Sequence, residues 1–394
     1  MRKFLAPLGF LALAACGTQT PVETPLADTI PSSQASDAAA QDPYLWLEDV
    51  EGDAALTWVR GQNERSLAEL QADPNYAAFE AAATEALTSS ERIPYGSIRD
   101  GMVYNFWQDD THVRGLWRRT PLESYASDAP EWETILDFDK LAEEEDRNWV
   151  FKGAYCFRPK GSDLPYKCMV SLSNGGKDAV IRREFDLSTK QFVEDGFVTP
   201  EAKQGGAWAG PDTLLIATDW GDGTLTNSGY PFIVKRWQRG TPLEMAEELI
   251  RGDVDDVGVW PMSLELEDGR VLQGAVQADT FFTSRYWWFP EEGGDPVQIP
   301  VPAKASLNGV YKGQLLVSLQ EDWAPEGQEG AFKSGDLVSF ELDAFLQTQS
   351  LPPVSLVFHP SETQALEGVS VAKGAVMLGV SDTAVGKVMR AELS

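Results

Sequence analysis

From Ile93 to its last residue the chain reads as paired short strands, and this pairing constrains the fold more than any other feature. "MVYNFW" (102–107) turns at "QDDT" into "VRGLWRR" (113–119), and "TLLIATDW" (213–220) precedes "PFIVKRW" (231–237). "RVLQGAVQ" (270–277) precedes "SRYWWF" (284–289), "GQLLVSLQ" (313–320) precedes "DLVSFEL" (336–342), and "GAVMLGVS" (374–381) precedes "GKVMRAEL" (386–393). Apolar runs bounded by Gly, Asp, Asn and Pro are hairpin signals. One comparable strand recurs at Met102, Cys168, Leu214, Leu272, Leu315 and Val376, at intervals of about 43 to 66 residues. A four-stranded unit repeating every ~40–50 residues is the period of a β-propeller. A two-sheet sandwich competes with it, but roughly 300 residues of hairpins is long for one sandwich. The reading is a mainly β chain, with a propeller over 93–394.

Composition narrows the function. The chain has 394 residues, 13 of them Trp, and a formal net charge of −29. Strands favour aromatic residues. A phosphate backbone demands a basic surface, whereas here the basic residues form only isolated pairs such as Arg118-Arg119 and Arg182-Arg183. No nucleic-acid partner is expected. The only histidines are His112 and His359, and Cys-x-x-Cys and His-Glu-x-x-His are absent, so neither a metal centre nor a cofactor is expected. The acidic run Glu143-Glu144-Glu145-Asp146 reads as a solvated loop. "DWGDGTLTNSG" (219–229) reads as a structured inter-strand loop. Trp287 and Trp288 must face opposite sides of a strand, so at least one is structural.

The N-terminus reads as an address. Arg2 and Lys3 precede an apolar run from Phe4 to Ala15, which is too short to span a bilayer and has the form of a signal peptide. "Leu13-Ala14-Ala15-Cys16" resembles a bacterial lipoprotein signal, which implies a lipid on Cys16. Residues 1–15 are then the signal and 16–41 a disordered, Thr/Pro/Ser/Ala-rich tether with a reach of roughly 25–30 Å. The expected location is the periplasmic side of a bacterial envelope, with the membrane met only through the lipid anchor.

Residues 42–92 form an N-terminal helical segment of two short helices. Leu56, Val59, Leu67 and Leu70 recur on one helical face and Asp53 can cap the start. "DPN" at 73–75 breaks the helix, and a second runs from about Tyr76 to Leu87. Further on, Cys156 and Cys168 flank the turn-rich "RPKGSDLPY". A hairpin centred near Ser162 places them opposite each other, as a disulfide or as two buried thiols; an exported protein permits the former.

Four stretches occur in order: "DPYLWLED" (42–49), "SLSNGGKDAVIRREFDL" (171–187), "FVEDGFVTPEAKQGGAW" (192–208) and "TDWGDGTLTNSGYPFIVKRWQRGTPL" (218–243). Together they resemble the N-terminal portion of the prolyl oligopeptidase family of serine peptidases, over roughly residues 42 to 394. The resemblance implies a seven-bladed propeller that limits access to an α/β-hydrolase domain, N-terminal helices that pack on that domain, and peptide substrates. It also implies that the catalytic triad belongs to the hydrolase domain. No Gly-x-Ser-x-Gly occurs in the sequence, and about six blades fit the available length, so the hydrolase domain is expected to be absent and the propeller incomplete. Ser173 in "SLSNGGKD" reads as part of a hairpin turn, because Asn174-Gly175-Gly176 tolerate positive φ. No catalytic residue is assigned. The functional expectation is the substrate-gating propeller of a secreted serine peptidase, inactive alone. The alternatives are one half of a split peptidase, with the hydrolase on a separate chain, and a non-enzymatic peptide- or protein-binding propeller.

Overall fold

The computed structural model describes residues 43–49, 51–89, 91, 93–291, 293–391 and 393. Cys16 and the expected signal and tether lie outside them. The chain divides into two compact units, Met1–Ala82 and Ala83–Ser394.

In the first unit, helix α1 spans Asp53–Gln71. Its N-cap is Gly52 without a side-chain cap, so Asp53 is the first helical residue rather than the expected cap. There its charge still favours the helix dipole. Pro74 stops the helix, and the turn closes through Asn75 N–H donating to the Asp73 carboxylate at 2.8 Å. Helix α2 follows over Tyr76–Thr88 and runs across the boundary, so that Leu87 belongs to the second unit. The apolar stripe is present but uncovered: Val59, Leu67 and Leu70 are exposed, as are Phe79 and Leu87.

The described residues of the second unit form six sheets, each an antiparallel meander in chain order. Sheet one runs Ser97–Arg99, Met102–Trp107, Leu116–Pro121 and Glu133–Asp137. Sheet two runs Trp149–Phe157, Lys167–Asn174 and Val180–Asp186, and its fourth position is shared by Gln191–Phe192 and Val198–Ala202, both paired to the third strand. Sheet three runs Gly205–Gly210, Thr213–Ala217, Ile233–Gln238 and Glu247–Arg251. Sheet four runs Gly258–Glu265, Val271–Ala278, Ser284–Trp288 and Val297–Gln298. Sheet five runs Ala305–Tyr311, Gln314–Leu319, Leu337–Glu341 and Ser355–Phe358. Sheet six has three strands, Gln364–Ala372, Ala375–Asp382 and Val385–Ala391. The six positions that recur in the sequence are all in second strands. This is the blade plan of a β-propeller.

Alternation along each second strand explains why the sheets stack. Val170 and Leu172 pack with Tyr104, Trp117 and Phe138 of sheet one and its trailing helix, whereas Met169 points the other way, to Trp208, Leu214 and Trp237 of sheet three. The same alternation builds a core between sheets three and four around Leu215, Ile233 and Ala275, and between four and five around Tyr286, Leu315 and Phe340. Val376, Leu378 and Val380 of sheet six close on Tyr311 and Leu316 of sheet five. Every core among the described residues joins consecutive sheets, and none joins sheet six to sheet one. Trp287 packs into the core of sheets three and four, and Trp288 into that of four and five.

Cys156 and Cys168 are register partners on the first two strands of sheet two and are joined by a disulfide. Between them Ser162 N–H donates to Pro159 O at 3.0 Å, closing the expected turn. The acidic run differs from its reading as a loop: Glu143 to Glu145 end the helix Phe138–Glu145, with left-handed Asp146 as C-cap. Glu145 is also held, accepting from Trp149 Nε1 at 2.8 Å and Arg183 Nη1 at 2.6 Å. Trp149 and Arg183 thus give Glu145 partners that the acidic run alone does not disclose.

Candidate functional site

In a meander the turns alternate between the two ends of the sheet, so all second-to-third strand turns share one face. On that face three sheets are tied together by their loops. The turn of sheet two is held by Gly175 N–H donating to Asn148 O at 2.8 Å, with Gly175 and Gly176 at φ 82° and 85°. Such φ values are open to glycine without steric cost. Ser173 lies just before, fully buried, and its hydroxyl donates to Lys177 O at 2.8 Å.

The long loop of sheet three (218–232) is ordered from within. Gly221 N–H donates to the Asp219 carboxylate at 2.9 Å, Trp220 N–H to Thr224 Oγ1 at 3.0 Å, and Leu225 bridges Pro231. It then reaches both neighbours. Tyr230 Oη donates to Asp178 of the sheet-two turn at 3.0 Å, and this bond to a carboxylate raises the Tyr230 pKa. Asn227 Nδ2 donates to Asp255, in the connection to sheet four, at 2.7 Å, and Asn227 N–H donates to Val254 O at 2.9 Å. Lys203 Nζ sits 4.1 Å from the centre of the Tyr230 ring, whose edge meets Trp260. The outcome is a preorganised platform across sheets two to four.

Sheets two and three also share a half-buried polar knot. Arg182 donates from Nε to Ser171 Oγ at 3.1 Å and from Nη2 to Gln204 O at 2.8 Å. Burial pushes the neighbouring Tyr155 hydroxyl up to about 12 and lowers the Arg182 guanidinium. Gly206 makes room for the pair, since a Cβ there would stand 2.2 Å from Tyr155 Oη.

Neither histidine meets Ser173. His112 Nδ1 lies 2.9 Å from Asp109 in an exposed turn, and His359 Nδ1 lies 2.6 Å from buried Asp336. Desolvation opposes ionisation of Asp109, but hydrogen bonds from Thr111, His112 and Trp107 hold its carboxyl well below the usual range. No group of three or more His, Cys, Asp or Glu among the described residues is arranged to hold a metal ion. Acyl transfer needs a nucleophile and a base in contact; Ser173 has neither histidine beside it, and Thr111 Oγ1, which lies 3.0 Å from His112 Nδ1, also bonds Asp109 within the same exposed turn. Ser173 is committed to its turn. The sequence did not single out Tyr155, Arg182 or Gly206, nor Phe281 and Phe282 at the sheet-four turn. The signal for the last two was visible as two large apolar residues in a stretch otherwise made of turn residues.

Fold and face together define a multi-bladed β-propeller with one loop-built platform. The chain belongs to the prolyl oligopeptidase N-terminal β-propeller domain family, whose model matches residues 25–374. It is 38% identical over 357 residues to an uncharacterized peptidase of Sinorhizobium fredii, a match covering 90% of this chain and 48% of the relative. An uncharacterized peptidase of Rickettsia prowazekii is 29% identical, with 87% and 48% covered. Among solved structures, a post-proline cleaving enzyme from Rickettsia typhi superposes with a TM-score of 0.78 at 28% identity, covering 89% of this chain and 51% of that one. The chain spans about half the length of the curated relatives it matches.

Proposed function

We propose that this chain is the substrate-gating propeller portion of a prolyl-oligopeptidase-like serine peptidase, acting on peptides, with nucleophile, acid and histidine supplied by a hydrolase domain outside this sequence. The observation that carries the reading is the family match over residues 25–374 to an N-terminal propeller, with relatives about twice as long. Two features support it. Among the described residues, sheets one and six each share a core with only one neighbour, as in a propeller that takes the further blade the resemblance implies. The uncovered helical stripe, with Phe79 71% and Leu87 73% exposed, suits helices that pack on a partner domain.

Cys16, as a lipidated residue, would tether the propeller at the periplasmic side of a bacterial membrane. Mass spectrometry of the purified protein tests this: a diacylglyceryl-modified Cys16 at the N-terminus supports it, and an intact Met1 refutes it.

The gating reading is tested by reading the DNA that follows the codon for Ser394. A frame encoding Gly-x-Ser-x-Gly and a later Asp and His supports it. Turnover of a proline-containing peptide by the chain alone, abolished by a serine-reactive fluorophosphonate, would sink it.

A further inference from the structure

We propose that the Phe281–Phe282 tip of the sheet-four hairpin is the propeller's docking prong for the catalytic half, entering an apolar recess rimmed by basic residues. The inference rests on the functional reading above and names the surface through which it operates. Phe281 is 88% and Phe282 81% exposed, the two most exposed large apolar side chains among the described residues. Two adjacent phenylalanines left in water on a soluble surface mark a contact site.

The tip cannot fold back to hide them. Thr280 Oγ1 accepts the N–H groups of Phe282 and Thr283, both at 3.1 Å, and meets Thr283 Oγ1 at 2.6 Å. Thr283 Oγ1 donates to Asp279 at 2.7 Å, and Asp279 pairs with Arg285 at 3.2 Å. Every polar side chain of the turn is used to fix its shape, so the rings are presented rather than merely loose.

The prong is continuous with the platform. Val257 N–H donates to Ala278 O at 2.8 Å, and Gln277 Nε2 donates to Asp256 at 2.8 Å, in the same connection that Asn227 grips. That neighbouring connection is acidic, with exposed Asp253 and Asp255 around exposed Val254. Acids beside the prong, on a chain of net charge −29, repel an anionic lipid surface and match a basic protein rim. The catalytic half of the relatives, which this chain does not span, is the partner to which such a face can be committed.

The test joins this chain to the second half of the Sinorhizobium fredii relative as one polypeptide, with Phe282 replaced by a photo-crosslinking phenylalanine analogue. The expected result is a crosslink to a peptide of the catalytic half. An active chimera whose crosslinks stay within the propeller overturns the prong and leaves the gating reading standing. In the same chimera, Phe281→Ser/Phe282→Ser should lower kcat/KM for a proline-containing peptide at least tenfold without moving the melting temperature of the isolated propeller; unchanged turnover overturns the prong. Binding of the wild-type chain to phosphatidylglycerol vesicles, lost in the double variant, would reassign the prong to a bilayer. A chimera that folds yet neither turns over peptide nor brings its halves together removes the gating reading, and the prong with it.

Discussion

Arg239, just past the third strand of sheet three, grips Glu184 of sheet two through parallel bonds, Nη1 to Oε2 at 2.8 Å and Nη2 to Oε1 at 2.9 Å. Glu184 is 1% exposed and its Oε2 also accepts Phe197 N–H at 2.9 Å, while Arg239 Nε donates to Asp212 at 2.6 Å. One blade is thus fastened to the next by a desolvated carboxylate and a planar fork that fits it. Removing the arginine strands a charge inside. Arg239→Met should cost about 3 kcal/mol in urea unfolding, and Glu184→Gln/Arg239→Met clearly less, because the double variant leaves no buried charge unpaired. With Glu184→Gln alone measured as well, a double loss equal to the sum of the two single losses would show that the pair adds no coupling.

Asp186 contributes one part of the pH dependence. Burial opposes its charge, but Lys167 and Ser188 stabilise the anion and bring its pKa down to about 2. A folded pKa below the unfolded value means the contribution is full above about pH 4 and lost as pH falls towards 2. The melting-temperature difference between wild type and Asp186→Asn should therefore be constant from pH 5 to 7 and shrink between pH 4 and 2. A difference that grows on acidification would contradict the assignment.

The Cys156–Cys168 disulfide closes a loop with a sequence separation of 12 within sheet two. Closing a short loop restricts the unfolded chain, and Cys156→Ser/Cys168→Ser should lose about 2–3 kcal/mol. Thermal unfolding with and without a reductant reads this directly. The reductant should shift the wild type and leave the double variant in place.

At Gly206 the clash can be both made and relieved. Gly206→Ala brings a Cβ to within 2.2 Å of Tyr155 Oη and should destabilise by about 1–3 kcal/mol. Adding Tyr155→Phe removes the offending hydroxyl and should restore part of the loss. An additive double variant would mean that the hydroxyl is not what Gly206 accommodates.

The blade plan was legible because each second strand must alternate between two cores, and Met102, Cys168, Leu214, Leu272, Leu315 and Val376 carry that alternation locally. The cross-strand placement of Cys156 and Cys168 was legible for the same reason, since a short turn-rich connector dictates register. The broken fourth position of sheet two, with Gln191–Phe192 and Val198–Ala202 on one edge, was not. Its cause is non-local: Glu184 reaches past that edge for Phe197 and Arg239. The helix ending at Glu145 was hidden because Glu145 finds Trp149 and Arg183 only after folding. The platform was half visible. "NGGKD" and "TDWGDGTLTNSGY" announced turns, but no spacing in the sequence reveals that Tyr230 would meet Asp178, 52 residues away.

The role proposed for this propeller is to gate chemistry that a hydrolase domain performs. Its most direct test is the rate of cleavage of an internally quenched proline-containing peptide by two preparations: the chain alone, and the chain joined to the second half of the Sinorhizobium fredii relative. Gating predicts no turnover above background for the first, and fluorophosphonate-sensitive turnover that falls with increasing peptide length for the second. Inhibitor-sensitive cleavage by the chain alone, or a joined enzyme that cuts folded proteins as readily as short peptides, would contradict it.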